Sequence, residues 1–249
     1  MKNKNILVIG ADGGIGSNVV NQLLSDGFLV IGTYFKSTIQ VDKLRDNKNF
    51  VSCEVDISNI NSVKELGNFV GNKELFAVIN CSGVFGYEGE SIEKDIKVWN
   101  EMIGVNLSGN YYLSKFIGSK ICKNGRFVMI SSTDSFYGSA ISMAYAASKA
   151  GINSLTKSLS LLFKDKMIRV NTIAPGWVLT PMTEGIGEGF LNKVAKTNPL
   201  KRNAKPIDIT NVVSFLLTEK ADYINGQVIS VEGGYTNQDP TLMLEENTL

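Results

Sequence analysis

The stretch VIGADGGIGSNVV, residues 8–20, decides the fold class of this chain. It lies between a short apolar run and the amphipathic segment 14–26, so it is predicted to join a strand to a helix. Gly10, Gly14 and Gly16 give it the spacing G-x-x-x-G-x-G. Glycine permits tight turns and lets a ligand approach backbone N–H groups, while the following helix presents its positive dipole end to a phosphate. In this strand-to-helix context, the loop predicts a dinucleotide site.

Outward from this loop, short runs rich in Val and Ile alternate with longer amphipathic segments. Several runs are apolar throughout, which is typical of strands covered on both faces in a parallel sheet. The alternation favours an α/β, Rossmann-type doubly wound fold, with a mostly seven-stranded parallel sheet and helices on both faces. The predicted strands are 5–10, 28–35, 50–55, 75–81, 126–131, 168–174 and 227–231, and the predicted helices are 14–26, 59–71, 100–123, 143–164 and 206–219.

The chain is expected to form a single dinucleotide-binding domain over residues 1–249. No linker rich in Pro, Gly and Ser divides it, and its 249 residues suit one large α/β domain. Segment 181–206 is too long for a simple connection and is interpreted as a substrate lid. The polar tail 236–249 is compatible with a flexible end or with docking on a neighbouring subunit.

Composition and charge exclude several function classes. The formal net charge of +1 gives no electrostatic case for a nucleic-acid partner. No window reaches the roughly 18 strongly apolar residues of a membrane span, and the first apolar run is too short for a signal peptide, so we expect a cytoplasmic protein. Cys53, Cys81 and Cys122 lack metal-like spacing and the chain has no histidine, so we expect a reducing compartment and no metal site.

The stretch SMAYAASKAG, residues 142–151, sets Tyr145 and Lys149 four residues apart among small side chains. Residues at this spacing share one helical face. A lysine cation at roughly 5 Å favours a phenolate by about 3 kcal/mol at an effective dielectric near 20, which is about two pKa units. Tyr145 is therefore predicted to act as a general acid or base without a histidine. Upstream, Ser132 ends a predicted strand, where its hydroxyl is expected to face a ligand crevice.

These motifs together resemble the short-chain dehydrogenase/reductase family over nearly the whole chain. The glycine loop is similar to the family's T-G-x-x-x-G-x-G element, NCSG at 80–83 to its N-N-A-G element, and APGWVLTPM at 174–182 to its P-G motif. The resemblance implies an NAD(P)-dependent oxidoreductase that transfers hydride between nicotinamide and a carbonyl or secondary alcohol. The catalytic residues that it implies are Ser132, Tyr145, Lys149 and Asn106.

The resemblance also implies a role for each of these four side chains. Ser132 is expected to donate a hydrogen bond to the substrate carbonyl, and Tyr145 to deliver a proton to its oxygen. Lys149 is expected to hold the ribose and to lower the pKa of Tyr145. Asn106 is expected to position a water that links Lys149 to solvent.

Cofactor choice is expected to depend on the end of the second strand, where an acidic residue would bind the ribose of NAD. The chain reads GTYFKS at 32–37, without an acid, and Lys36 is suited to a 2′-phosphate. We therefore expect NADP(H), with NAD(H) as the alternative, because position 13 holds glycine where many NADP-dependent members of the family carry a basic residue. The expected cofactor contacts are Gly10, Asp12, Gly13, Gly14, Ile15, Gly16, Tyr34, Lys36, Asp56, Ile57, Asn80, Ser82, Gly83, Tyr145, Lys149, Pro175, Gly176, Val178 and Thr180.

The substrate is expected to be a small-molecule carbonyl compound in a pocket with aromatic walls. The pattern is most similar to the 3-oxoacyl-(acyl carrier protein) reductase group of the family, which implies a carrier-protein-bound substrate as one option. Lys201, Arg202 and Lys205 are suited to such an acidic partner. The expected substrate contacts are Ser132, Ser135, Tyr145 and Trp177, with Phe85, Phe136 and Tyr137 in the pocket wall.

Other functions remain open at this point, because a fold does not fix a substrate. Within the family, the alternative is a ketone of a sugar, polyol or secondary metabolite. Outside catalysis, it is a silent dinucleotide-binding sensor or structural subunit, against which the intact catalytic set argues. An unrelated nucleotide-binding module such as a methyltransferase is a third possibility. The family resemblance also implies a homotetramer or homodimer, with the predicted helices 100–123 and 143–164 at a two-fold interface.

Overall fold

The computed structural model describes residues 3–237 and contains one seven-stranded parallel sheet. The strand order is β3-β2-β1-β4-β5-β6-β7, and every neighbouring pair is parallel. This confirms the predicted doubly wound α/β fold. The strands are β1 Asn5–Ile9, β2 Leu29–Tyr34, β3 Phe50–Glu54, β4 Leu75–Asn80, β5 Ile121–Ile130, β6 Arg169–Pro175 and β7 Val228–Val231.

Helices cover both faces of the sheet. The α-helices of the described chain are α1 Gly14–Ser25, α2 Ile39–Asp42, α3 Ile60–Val70, α4 Ile92–Met102, α5 Gly109–Phe116, α6 Met143–Leu162, α7 Pro181–Glu184, α8 Glu188–Thr197 and α9 Pro206–Leu216. One buried layer joins α1 and α9 to the sheet, and the other joins α3, α5 and α6.

The apolar composition of β1 has a direct structural reason. Ile6 and Val8 pack into the layer formed with α1 and α9, while Leu7 and Ile9 pack into the opposite layer. Successive side chains of a strand point to opposite faces, so a strand covered on both faces must be apolar at every position. The continuous runs in the sequence therefore correctly predicted the two-layer cover.

The predicted helix 100–123 is wrong at both ends. Its helical region begins earlier, at Ile92, where the Ser91 side chain accepts a hydrogen bond from the backbone of Lys94. Between α4 and α5, residues Ile103–Ser108 form a π-helix. The region ends near Gly118, whose backbone packs so closely against the Phe163 ring that a Cβ would lie 2.6 Å from it. The last predicted residues belong instead to β5.

The segment 181–206, predicted as a lid, contains α7 and α8 and runs to the start of α9. A bridge between Val178 and Ala204 closes its base. Of the predicted tail 236–249, only Thr236 and Asn237 belong to the described residues, where they complete a 3₁₀ turn. Within residues 3–237, the structure has no helix with the length and apolar character needed to cross a membrane.

Candidate functional site

The strand order creates a crevice at the carboxyl ends of β1 and β4. Because β2 and β4 flank β1, the chain winds outward in opposite directions from this point. Loops from three strands meet there. A Cβ on Gly10 would lie 2.9 Å from the Cα of Ser82, and one on Gly14 would lie 2.7 Å from the Cβ of Thr180. The glycine loop, the NCSG turn and the segment after β6 therefore form one surface.

The glycine loop has the geometry of an anion cradle. A Cβ on Gly16 would lie 2.0 Å from the carbonyl oxygen of Gly10, so this position excludes any side chain. Gly10 itself has φ 72°, a left-handed conformation that favours glycine. No side chain caps α1, and its first turn carries no acid, so its N-terminal N–H groups remain available to a phosphate. The loop thus fits the pyrophosphate of a dinucleotide.

Asp12, predicted as a cofactor contact, ties the glycine loop to the segment after β2. Its carboxylate accepts hydrogen bonds from the Ser37 hydroxyl at 2.5 Å and from the backbone N–H groups of Gln40 at 2.6 Å and Val41 at 3.2 Å. Lys36 lies in this segment with φ 68°, its ammonium 4.9 Å from the centre of the Phe35 ring. Asp12 therefore fixes the loop that carries Lys36, next to Tyr34 at the end of β2.

Asn80 and Ser82 shape the turn after β4. The Asn80 side-chain oxygen accepts hydrogen bonds from the backbone N–H and the hydroxyl of Ser82, and its amide donates to Asn110 at 2.8 Å. After β3, Asp56 accepts from the N–H and hydroxyl of Ser58. Ile57 is buried in the apolar layer. Asn80 and Ile57, both predicted as cofactor contacts, are therefore buried residues that support the loops of the site.

Ser132, Tyr145 and Lys149 meet in one cavity. The helical spacing predicted this for Tyr145 and Lys149, and the position at the end of a strand predicted it for Ser132. Ser132 follows β5, and the other two lie on consecutive turns of α6. The Lys149 Nζ donates to the Ile130 carbonyl at 3.0 Å and lies 5.5 Å from the centre of the Tyr145 ring. Ser132 is hydrogen-bonded to the Tyr145 phenol, and Phe85 packs edge-on against that ring at 5.0 Å between ring centres.

Asn106 lies in the π-helix and is buried. Its amide nitrogen donates to the Val84 carbonyl at 3.0 Å and to the Ser148 hydroxyl at 3.1 Å, and its oxygen accepts from the Val84 N–H at 2.9 Å. The backbone carbonyl of Asn106 accepts from Asn110. The side chain therefore holds the turn after β4 beside Lys149, and its donors and acceptor are already used by protein groups.

The acidity of the phenol differs from the prediction. Burial raises the pKa of Tyr145 well above its ordinary value, the charge of Asp134 raises it further, and the hydrogen bond from Ser132 opposes the rise. Burial also lowers the pKa of Lys149 to about 8, against the opposing effect of Asp134. The expected fall in the Tyr145 pKa is thus wrong for the protein without dinucleotide, because loss of water and the charge of Asp134 outweigh the Ser132 hydrogen bond.

The cavity brings together many predicted contacts and leaves others outside. Trp177 and Phe85 belong to its wall, with Met182 from the predicted lid. Ser135 is turned away from it, since its hydroxyl donates to the Ser132 carbonyl at 2.5 Å and accepts from Asn153. Phe136 and Tyr137 are exposed and lie outside the described wall. The predicted cofactor contacts in the wall are Ile15, Ser82, Gly83, Tyr145, Lys149, Pro175, Gly176, Val178 and Thr180.

Asp134 is the charged wall residue that sequence reasoning missed. It lies two positions after Ser132, in the 3₁₀ turn Thr133–Phe136. The available signal was its position just beyond the end of a strand that carries a catalytic candidate. Its direction depends on the tight turn that follows Ser132, which the sequence pattern does not specify.

The fold and the site define a dinucleotide-binding α/β protein with acid–base groups beside the cofactor crevice. A family model described as enoyl-(acyl carrier protein) reductase matches residues 10–236. The chain is 33% identical over 242 residues to a 3-oxoacyl-(acyl carrier protein) reductase of Buchnera aphidicola subsp. Baizongia pistaciae, covering 93% of this chain and 97% of that protein. It is 29% identical to the 2-dehydro-3-deoxy-D-gluconate 5-dehydrogenase of Bacillus subtilis, covering 96% of each.

Solved structures of similar proteins have the same fold as this chain. The structure of ElxO with NADP bound is 28% identical, has a TM-score of 0.83, and covers 96% of this chain and 100% of that one. A short-chain dehydrogenase family protein from Francisella tularensis is 27% identical, with a TM-score of 0.85, and covers 95% of this chain and 100% of that one. The chain belongs to the short-chain dehydrogenase/reductase family, and it is an NAD(P)-dependent oxidoreductase.

Proposed function

We propose that this enzyme reduces a ketone with NADP(H), and that a 3-oxoacyl thioester is the first candidate substrate. One observation carries the proposal: the hydroxyl groups of Ser132 and Tyr145 and the amine of Lys149 share a cavity with the loops that meet the glycine loop. A carbonyl held in that cavity would have a hydrogen-bond donor, a proton donor and a cation around its oxygen.

The residues present fit a dinucleotide. The N-terminus of α1 would hold the pyrophosphate, and the segment from Gly176 to Thr180 would border the nicotinamide. The nicotinamide supplies or accepts the hydride when it is bound. Lys36 supports the phosphorylated form of the cofactor, because it lies in the segment that Asp12 fixes and carries a cation suited to a 2′-phosphate. The bound NADP of ElxO, a relative of known structure, supports the same choice.

The proposed proton chemistry follows from the buried phenol. Because burial raises the pKa of Tyr145, the phenol holds its proton at neutral pH and can give it to an oxygen that gains negative charge. Ser132 would donate a hydrogen bond to the same oxygen. Lys149 would bind the ribose and stabilise the phenolate that remains. We assign Asn106 a positioning role, since its side chain is fully hydrogen-bonded within the protein.

The 3-oxoacyl substrate is supported by the names of several relatives and by the wall of the cavity, which is largely apolar. A carrier protein as partner has weaker structural support. Arg202 forms a two-point ion pair with Asp208, at 2.7 and 2.8 Å, so its charge is already balanced. Lys201 and Lys205 are exposed basic residues that remain for an acidic partner.

A sugar or polyol ketone is the second candidate substrate. It is favoured by the carboxylate of Asp134 in the cavity wall, since carboxylates accept hydrogen bonds from hydroxyl groups. The name of the relative from Bacillus subtilis points the same way.

We also propose that the chain acts as one domain in the cytoplasm, as a homotetramer or homodimer. Exposed apolar side chains on α4, α5 and α6, namely Trp99, Tyr111 and Leu161, support an interface on these helices. Light scattering on the purified protein tests the oligomer, and a monomer at micromolar concentration would contradict it.

The activity is tested with the variant Tyr145→Phe. We expect NADPH oxidation with acetoacetyl thioesters or hydroxyketones to fall by at least a thousandfold in rate, while NADPH binding is retained, because the variant loses only the phenolic hydroxyl that donates the proton. Tyr223→Phe, an exposed tyrosine, is the matched control. Crotonyl thioester as an additional substrate separates ketone reduction from enoyl reduction. A Tyr145→Phe variant with nearly normal rates would refute the assignment.

A further inference from the structure

Asp134 places a carboxylate in the wall of the catalytic cavity. Its backbone N–H donates to the Ser132 hydroxyl oxygen at 3.2 Å, so it is attached directly to a group that is proposed to hold the substrate. Within residues 3–237, Asp134 is the one acidic residue of this wall and Lys149 is the one basic residue. The charge of Lys149 acts on Asp134, and the charge of Asp134 acts on Tyr145.

The carboxylate of Asp134 is unused by the protein. In the described part of the chain it accepts no hydrogen bond and forms no ion pair, although the residue is half-buried. The carboxylates of other acidic residues around the site accept hydrogen bonds within the protein. The Asp12 carboxylate accepts from Ser37, and that of Glu232 accepts from the backbone N–H groups of Gly234 and Thr236. Burying an anion without partners costs free energy, so Asp134 requires an explanation.

The surroundings leave the substrate as the partner. Phe85, Trp177 and Met182 form an apolar wall and offer the carboxylate no donor from their side chains except the indole N–H. Burial raises the pKa of Asp134 and the charge of Lys149 opposes that rise. The Lys149 amine, however, is hydrogen-bonded to the Ile130 carbonyl.

We propose that Asp134 is a specificity residue: its carboxylate accepts a hydrogen bond from a hydroxyl, ammonium or amide N–H group on the ketone that Ser132 holds. The same charge excludes ketones that carry a free carboxylate near the carbonyl. This inference rests on the proposed ketone reduction and deepens it. A charged hydrogen bond of this kind changes relative rates by about tenfold or more.

The test uses pairs of ketones that differ in one group. Hydroxyacetone and aminoacetone are compared with 2-butanone, and acetoacetate supplies the anion. The N-acetylcysteamine thioester of acetoacetate, which has an amide N–H, is compared with the S-propyl thioester, which has none. For wild type we expect kcat/KM to favour the donor-bearing member at least tenfold and to be lowest for acetoacetate.

Two variants separate charge from hydrogen bonding. Asp134→Asn removes the charge, so the ratio of kcat/KM for aminoacetone to that for acetoacetate should fall at least tenfold. Asp134→Leu removes the acceptor as well and should abolish the preference for donors. Asp165→Asn, at an exposed position far from the cavity wall, is the matched control. If Asp134→Leu loses the kcat/KM preference within the thioester pair, the amide N–H is the donor. If it loses only the preference for hydroxyacetone over 2-butanone, the donor is a hydroxyl.

If the kcat/KM ratios within the ketone pairs are the same in both variants as in wild type, the role of Asp134 is overturned while ketone reduction is left intact. If wild type reduces none of these ketones, the proposed function fails instead. The role of Asp134 is then decided by calorimetric Kd values for hydroxyacetone and 2-butanone with the NADPH complex, where a ratio equal in wild type and Asp134→Leu overturns it.

Discussion

Replacing Lys149 with methionine should stabilise the folded protein while removing its activity. Lys149 is 3% exposed and its pKa is lowered from 10.5 to about 8 by burial. Methionine has a similar length and carries no charge, so Lys149→Met removes the cost of a buried cation. It also removes the hydrogen bond to the Ile130 carbonyl, which costs about 1 kcal/mol at any pH.

The magnitude follows from the proton balance of the two states. Between pH 8 and 10.5 the unfolded chain holds the lysine proton more tightly than the folded protein, so the free energy of unfolding rises with pH in this window. Below it, the cation destabilises the folded state by about 3 kcal/mol, because each pKa unit corresponds to about 1.4 kcal/mol. At pH 9.5 the remaining penalty is about 1.4 kcal/mol by the same relation.

The assay is urea unfolding of the dinucleotide-free protein at pH 7 and pH 9.5. We expect Lys149→Met to be more stable than wild type by about 2 kcal/mol at pH 7 and nearly equal to it at pH 9.5. Lys157→Met, an exposed position on α6, is the matched control. A difference between Lys149→Met and wild type that is the same at both pH values would show that no buried cation is being removed, and it would refute the reasoning.

Two further predictions concern the cofactor site. Gly16→Ala should weaken NADPH binding at least tenfold by fluorescence titration, since its Cβ would lie 2.0 Å from the Gly10 carbonyl oxygen and must displace the loop. Gly189→Ala, where a Cβ meets nothing within 4 Å, is the control. Equal NADPH affinity of the two variants would contradict the proposed anion cradle. Lys36→Ala should weaken NADPH more than NADH in the same titration, because only NADPH carries the 2′-phosphate, and an equal loss for both would refute the phosphate contact.

The strands and most helices could be predicted from the sequence because burial on two faces imposes a continuous apolar pattern. The predicted helix 143–164 corresponds to α6 at Met143–Leu162. The π-helix at Ile103–Ser108 could not be predicted in this way, because its register depends on Asn106 pairing with the backbone of Val84, 22 residues earlier. A pattern read locally does not contain that pairing.

The central residues of the candidate site were predictable from the sequence, but its electrostatics were not. Spacing alone places Tyr145 and Lys149 on one face of a helix, and the structure brings them into one cavity with Ser132. The direction of the Tyr145 pKa depends on how much water the cavity excludes and on Asp134, and both follow from the packing of loops distant in sequence. The two-unit lowering expected from the lysine alone omitted the desolvation cost.

With the proposed roles, the raised pKa of the Tyr145 phenol suits the protonated form that ketone reduction needs at neutral pH. To reduce a ketone, the phenol of Tyr145 must give a proton to an alkoxide, which is a far stronger base than a phenolate. A buried phenol with a raised pKa still meets that need and is fully protonated before the reaction. Oxidation of an alcohol requires the phenolate first, and burial makes that form costly. The lysine that would stabilise the phenolate loses its own charge as pH rises through about 8, which weakens that stabilisation at alkaline pH.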